Sequence, residues 1–325
     1  MSTPTPPPSA RPPLSVRPTL GSRPDSAPSS RAPLPPVPRT HLLVPEEGER
    51  ARKIRSSIWL GLCGLSAVVV LVPLLSIFLY VVQKGAAGLS LSFFTELPRP
   101  VGETGGGMGN AVVGTLTLIA IASAIGLPIG ILSGVYIAEV GRGRFADWIR
   151  FFAEVLSGVP SITIGVFVYA LVVVPMKHFS AFAGGVALAI IMIPTVTRTT
   201  EELLRMVPSH LREASLALGV PEWKTSLFVV LRTAAPGIAT GIMLAVARVA
   251  GETAPLLFTA FNNRFMSTRV DQPIASLPVQ ILTYATSPYQ DWQQQAWTGA
   301  LVLVMVILLL NVLARLGART RIGAK

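Results

Sequence analysis

The sequence predicts an all-α integral membrane protein, and three observations lead to this fold class. Hydrophobic residues make up 51% of the 325 residues and charged residues only 13%, about half the charged share of a typical soluble protein. The apolar residues are gathered in six segments, each long enough to cross a hydrocarbon core, which takes about 20 helical residues. Too little charge remains to cover a water-exposed surface, so the composition argues against an ordinary soluble protein.

The first 56 residues are predicted to form a disordered tail. Residues 1–45 contain 14 of the 28 prolines, and such a segment buries too little apolar surface to offset the entropy of ordering. It has no apolar core of its own, so we do not expect a cleavable signal peptide. A solvated tail with a weak attraction to the membrane is favoured over a docking site for a proline-reading partner.

Six spans are predicted within residues 57–325, which form the membrane domain. Each is a long apolar run, and only the third and the fifth contain charged residues. A short turn at 175–178 makes the third and fourth spans antiparallel neighbours. The predicted spans are 57–82, 111–138, 151–174, 179–196, 236–260 and 296–313.

The basic residues predict the orientation of these spans. The tail, the C-terminus and two alternate connections (139–150 and 197–235) contain 21 Lys and Arg residues, whereas the other three connections contain 5. Because basic connections are retained in the cytoplasm, both termini are expected there. This asymmetry accounts for most of the net charge of +11, so no nucleic-acid partner is needed to explain the charge.

The connection 197–235 has helical patterning of its own. Pro208 can open a helix, and Gly219 can end it in the left-handed conformation that glycine adopts readily. Pro221 then opens a second short helix, with an acid at its positive end. Two short helices that meet at a glycine form an elbow that can insert into a groove of another protein. The alternative is an amphipathic helix that lies on the membrane surface.

Five stretches resemble ATP-binding-cassette importer permeases, and two of them are the most informative. The run Glu213-Ala214-Ser215-Leu216-Ala217-Leu218-Gly219 resembles the EAA loop, which in that family docks on the ATPase subunit. The resemblance therefore implies a docking role for Glu213, Ala214, Ser215, Gly219 and Pro221. A departure follows the loop, because Arg232 stands where the family usually has proline. The second stretch, Gly251–Ala260 (GETAPLLFTA), is similar to the signature of the phosphate-specific permease family of PstA type, as are GGMGNAVVGTL, LSGVPSITI and ASLPVQILTY.

This resemblance implies the fold of type I importer permeases and a role as one half of a heterodimeric phosphate permease. It also implies four partners: a homologous permease of PstC type, a cytoplasmic ATPase dimer of PstB type, an extracytoplasmic phosphate-binding protein of PstS type, and the lipid bilayer of the bacterial inner membrane. ATP hydrolysis is expected on the partner, so this chain is not expected to be an enzyme.

Charged residues single out the fifth span. Arg248 is expected near its midpoint and Glu252 one turn further along on the same face. Ionisable residues are costly in a membrane and usually face a pathway or a partner. A guanidinium fits the oxygens of phosphate, while Glu252 is expected to pair with Arg248 or with a basic residue of a partner. With Thr253 and Pro255, where the helix is expected to bend, they form the predicted gate. A static ion pair that only fixes helix packing is the alternative.

Other functional classes have weaker support in the sequence. The single cysteine, Cys63, and three scattered histidines offer no metal set, and no catalytic constellation is present. No cofactor is expected. Three alternatives remain: a permease for another oxyanion such as sulfate or molybdate, an ion-coupled anion carrier or channel that works without an ATPase, and a membrane-embedded transferase.

Deletion of residues 2–45 is expected to preserve membrane insertion, assembly and phosphate uptake. The quoted motifs lie beyond the tail, and the arginines of the tail are too spread out to act as a strong anchor. By contrast, neutralising Arg50, Arg52, Lys53 and Arg55 should weaken the orientation of the first span. Uptake into reconstituted vesicles measures the first effect. Loss of uptake at normal membrane levels of the deletion variant would make the tail a coupling element.

Overall fold

The computed structural model describes residues 46–320 except 104 and 142, and all regular elements in this part are helices. The predicted tail 1–45 lies outside the described residues. The chain divides into two units, residues 1–67 and 68–325. In the first unit, residues 46–67 belong to α1 (Glu46–Ala86). Residues 46–56 are therefore helical and not tail as predicted, because the last proline before α1 is Pro45 and several good helix formers follow it.

Five helical stretches in the described residues are long and apolar enough to span a membrane, and a sixth span results if one bent pair is counted. The spanning stretches are Ala51–Ala86, Gly109–Val140, Ala181–Arg205, Glu222–Ala250 and Gln290–Val312. The helices are α1, α2 (Leu91–Thr95), α3 (Gly109–Val135), α4 (Arg144–Gly158), α5 (Ser161–Val168), α6 (Val174–Met176), α7 (Ala181–Arg205), α8 (Ser209–Ala217), α9 (Glu222–Lys224), α10 (Leu231–Ala250), α11 (Ala254–Thr259), α12 (Leu277–Ala285) and α13 (Gln290–Thr320). Three π-helical segments extend α3, α5 and α9, at Tyr136–Val140, Tyr169–Val173 and Thr225–Val230.

The predicted third span, 151–174, is not one straight helix. It is divided between α4 and the stretch Ser161–Met176, and the two parts are bent by 106°. The break falls at Val159–Pro160, because proline has no N–H to donate and disfavours helical conformation in the residue before it. The inner face of α4 pairs with α7, where Arg150 binds Glu201 at 2.9 Å and Arg198 binds Glu154 at 2.7 Å.

Helix α7 lies at the centre of the bundle and packs closely against α3. Two thirds of its most apolar window is buried, compared with none of the corresponding window of α1. Glycines of α3 allow the close approach: a Cβ at Gly130 would lie 2.8 Å from Val196, and one at Gly134 would lie 2.6 Å from Thr200. Such small-residue contacts are a common means of helix association in membranes.

The connection 197–235 is much shorter than predicted. Helix α7 continues to Arg205, and the next long helical stretch already begins at Glu222. The second helix of the elbow is therefore not a separate short helix but the start of the fifth span. Glu201, Glu202, Leu203 and Leu204 favour helix and continue α7 past its apolar part. What remains between the two spans is residues 206–221, with α8 inside.

The opposite end of the bundle is closed by polar contacts between distant parts of the chain. Asn110 donates to the carbonyl of Asn263 at 2.6 Å, and Asn263 donates to the carbonyl of Pro273 at 3.0 Å. The backbone N–H of Leu277 donates to Thr115 at 2.8 Å. These contacts hold the connection between α11 and α13 against the start of α3.

Candidate functional site

The signature stretch lies at a break between two helices. Helix α10 ends at Ala250, residues 251–253 are outside regular helix, and α11 begins at Ala254. Arg248 is therefore in the last turn of α10 and not near the midpoint of the fifth span as predicted. Pro255 opens α11 instead of bending a continuous helix, since a proline suits the first turn, where no N–H is needed.

A cavity of about 200 Å³ lies beside this break; we call it the Arg248 cavity. Its walls come from three places: the break between α4 and α5, the middle of α7, and the end of α10. Besides apolar side chains, its lining contains a cation, a carboxylate and three hydroxyl groups, from Arg248, Glu252, Ser157, Ser161 and Thr195. The structure thus brings two of the four predicted gate residues to one cavity.

Arg248 and Glu252 do not form the ion pair that the sequence suggested. Among the described ion pairs none joins them, although both line the cavity. Arg248 is exposed and Glu252 is half-buried. A break in the helix separates them, so the one-turn spacing of a continuous helix does not apply. The guanidinium of Arg248 is therefore not committed to Glu252.

The other two predicted gate residues are not among those that line the cavity. Thr253 is half-buried at the start of α11, and Pro255 is buried. Pro255 packs against α5 at Gly165, where a Cβ would lie 2.6 Å from the Cα of Pro255. The closeness of these two backbones links the position of α5 to that of the break.

The chemistry of the Arg248 cavity suits a tetrahedral oxyanion. A guanidinium presents a fork of N–H donors that can bind two oxygens of one anion, and the hydroxyls can donate to the others. The carboxylate of Glu252 repels an anion, so the cavity is not a simple high-affinity anion site. In the described residues no group of three or more His, Cys, Asp or Glu side chains could hold a metal ion.

The elbow, residues 209–224, has the predicted turn. Gly219 has a φ of +78°, which confirms the left-handed conformation expected of it. Helix α8 precedes it, and a hydrogen bond of 2.8 Å between the buried Ser215 and Thr225 side chains closes the elbow. Glu213, Ala214 and Pro221 are exposed. So are two large apolar side chains, Leu218 at 84% and Trp223 at 62%.

Several polar residues of these sites were missed by the sequence analysis. Ser157 and Ser161 belong to the stretch LSGVPSITI, which was noted only as a family resemblance. Their hydroxyl groups lie on both sides of Pro160, and this pattern could have indicated a polar site. The ion pair of Glu139 and Arg212, at 2.6 Å, could not have been predicted from the sequence. Its members are 73 positions apart in the chain, and nothing in a single sequence links them.

Comparison with known proteins decides the family. The sequence model of the binding-protein-dependent transport system inner membrane component family matches residues 126–320, which is more than half of the chain.

The chain belongs to this family.

Relatives within the family carry a more specific name. A phosphate transport system permease protein PstA from Yersinia pestis is 50% identical over 72% of this chain and 80% of its own length. The PstA of Haemophilus influenzae is 45% identical over 82% of this chain and 94% of its own length, and PstA 1 of Mycobacterium tuberculosis is 38% identical over 81% and 87%. The resemblance to the PstA type is thereby confirmed.

Solved structures confirm the fold. A chain from inward-facing conformations of the MetNI methionine ABC transporter superposes with a TM-score of 0.52 at 20% identity, over 66% of this chain and 96% of that chain. An amino acid ABC transporter gives 0.51 at 18% identity, over 66% and 92%. Members of this inner-membrane family work within multi-subunit transporters, so this chain is a multi-pass inner-membrane permease and ATP hydrolysis belongs to another subunit.

Proposed function

We propose that the chain is the permease subunit of an ATP-driven inorganic phosphate importer and forms half of its translocation pathway. The observation that carries this proposal is the Arg248 cavity, in a chain 50% identical to a PstA phosphate permease. The partners are a second permease of PstC type, two ATPase subunits of PstB type and a phosphate-binding protein of PstS type. The elbow end faces the cytoplasm, together with both termini, as the positive-inside rule requires.

Arg248, Glu252, Thr253 and Pro255 form the gate of this pathway. The guanidinium of Arg248 binds the passing phosphate, and Glu252 makes that binding weak enough for release. A transporter needs such a balance, because an anion held too tightly does not leave. The break at 251–253 allows α10 and α11 to move separately as the complex switches between states, each favoured by a different ligand.

The elbow docks on the ATPase. Its exposed Leu218 and Trp223 are apolar anchors of the kind that fill pockets at protein interfaces, and Glu213 offers an exposed carboxylate on α8. The elbow passes directly into the fifth span, which carries Arg248 at its other end. One helical stretch of 29 residues, Glu222–Ala250, therefore connects the docking surface with the gate.

Copurification and uptake together test this function. The tagged chain, purified in mild detergent, is expected to bring an ATPase subunit with it. After reconstitution with the binding protein, uptake of labelled phosphate should require ATP and resist competition by sulfate and molybdate. Competition by those anions would indicate a permease for another oxyanion. Uptake by this chain alone, without ATP, would indicate a gradient-driven carrier instead.

Gly219→Val is expected to uncouple the elbow from transport. A β-branched residue resists the left-handed conformation, at a cost of roughly 1 kcal/mol or more, and the two arms of the elbow should then be misaligned. Uptake per ATP hydrolysed is the measurement. Gly219→Asn is the matched control, since asparagine tolerates this conformation. Wild-type coupling in the valine variant would contradict the role of the turn.

A further inference from the structure

Arg212, on the elbow helix α8, and its partner Glu139 together connect four separate elements. Its guanidinium binds both oxygens of Glu139, with Nη2 at 2.6 Å and Nε at 3.3 Å. It also donates to the backbone carbonyls of Leu204 at 2.8 Å and Val207 at 2.7 Å, at the end of α7. Arg212 thus holds α8 against the end of α7 and the extension of α3.

Glu139 brings in the fourth element. It lies in the π-helical segment that ends α3, and its side chain is only 6% exposed. Its Oε2 accepts a hydrogen bond of 3.2 Å from Ser226, in the π-helical segment that leads into α10. A carboxylate this buried needs its partners, because an isolated charge in such a place would be strongly disfavoured.

The hydrogen bonds among Arg212, Glu139 and Ser226 fix the orientation of the helices, which apolar packing alone does not. A bidentate arginine–carboxylate pair fixes the angle as well as the distance between the groups. Apolar contacts between Leu211 and the cluster of Leu204, Val207 and Val230 support the same region, but such contacts can slide. The polar cluster therefore sets where α8 sits relative to three long helices.

We propose that Arg212, Glu139 and Ser226 form a coupling joint that transmits movement of the docked elbow to α3, α7 and α10 together. The proposal rests on the proposed function, since it assigns the route by which ATPase movement reaches the gate. Arg212 and Glu139 are positioning residues and do not touch the transported anion. Two of the three helices they hold, α7 and α10, supply Thr195 and Arg248 to the cavity wall.

The joint predicts that breaking it uncouples transport without preventing assembly. In Glu139→Gln and Arg212→Gln, uptake of labelled phosphate per ATP hydrolysed should fall by about tenfold, while ATPase copurification and ATP hydrolysis persist. The double variant should be no worse than the single variants, because one interaction is removed in each case. Glu139→Asp and Arg212→Lys keep the charges and should recover part of the coupling.

A second arginine–carboxylate pair gives the matched control. Arg269 binds Asp271 through two hydrogen bonds, of 2.7 and 3.0 Å, on the connection between α11 and α12. Its hydrogen bond lowers the pKa of the Asp271 carboxyl. Both side chains are more than half exposed, and exposed pairs contribute little. Arg269→Gln and Asp271→Asn should therefore leave uptake per ATP unchanged.

A measurement that does not depend on transport completes the test. In a Cys63→Ser background, Ala217→Cys places a spin label at an exposed position of α8 to which no docking role is assigned. Arg212→Gln should increase the mobility of this label, even if the variant complex fails to assemble. An unchanged spectrum in Arg212→Gln would contradict the proposed coupling joint. Normal uptake per ATP hydrolysed in both Glu139→Gln and Arg212→Gln would contradict it as well. Absence of an ATPase from the wild-type preparation would instead contradict the proposed function, and the spin label would still test the joint.

Discussion

Phosphate uptake should fall roughly ten- to hundredfold in Arg248→Gln, the range that loss of a hydrogen bond to a charged group supports. The variant removes the only cation among the residues that line the Arg248 cavity and keeps a side chain of similar length. Arg248→Lys should retain part of the activity, because it keeps the charge but loses the fork of donors. Initial rates of uptake of labelled phosphate into vesicles provide the measurement.

The carboxylate of the same cavity provides the complementary variant. Glu252→Gln should leave assembly intact and slow the release of phosphate, and with it uptake, because the carboxylate that opposes anion binding beside Arg248 is removed. The double variant Arg248→Met with Glu252→Leu separates gating from packing, because both replacements fill a similar volume while removing the two charges. If that double variant took up phosphate at nearly the wild-type rate, the gate role would be wrong.

Gly165→Ala should destabilise the chain by about 1–3 kcal/mol, as overpacking of a tight contact does, and impair uptake as well. The added Cβ would lie 2.6 Å from the Cα of Pro255, so a backbone must move. The backbone that moves is either α5 or the start of α11, and both belong to the gate region.

The matched control for this variant is Gly64→Ala. Gly64 lies in α1, and no atom lies within 4 Å of an added Cβ, so the alanine should be tolerated. Thermal unfolding in detergent and uptake in vesicles should be measured together on both variants. If Gly165→Ala matched the wild type in both, the contact between α5 and α11 would be less rigid than the structure indicates.

Local chemistry allowed much of the fold to be predicted from sequence. Long apolar runs identified helices α1, α3, α7 and α13, since the length of such a run reflects the thickness of the bilayer. Gly219 was predicted from a preference that glycine has in any protein, and its φ agrees.

Breaks inside apolar runs could not be predicted in the same way. Hydropathy is the same for a straight helix and for two helices at 106°, so the bend at Val159–Pro160 was missed. The end of α10 at Ala250 was missed for the same reason, and with it the position of Arg248. Proline marks both places, but proline also occurs inside continuous helices here, as Pro194 does in α7. Only tertiary packing decides between the two outcomes.

The coupling joint could not be predicted from the sequence at all. Glu139 directly follows an apolar run and Arg212 lies within a polar connection, and solvation or positive-inside topology already explains a charge at either place. Their partnership depends on how α3, α7 and α8 pack. It therefore becomes visible only once those helices are in place.

The break at 251–253 also affects how far water can reach into the centre of the bundle. Backbone outside regular helix is tolerated at membrane depth only where protein buries it or water reaches it, and here it borders the Arg248 cavity, which has space for several water molecules. In the proposed pathway, an anion that arrives there would exchange one hydrated setting for another and need not shed its whole hydration shell in advance. The shape of one interrupted helix would thus lower the dehydration cost of crossing the bilayer.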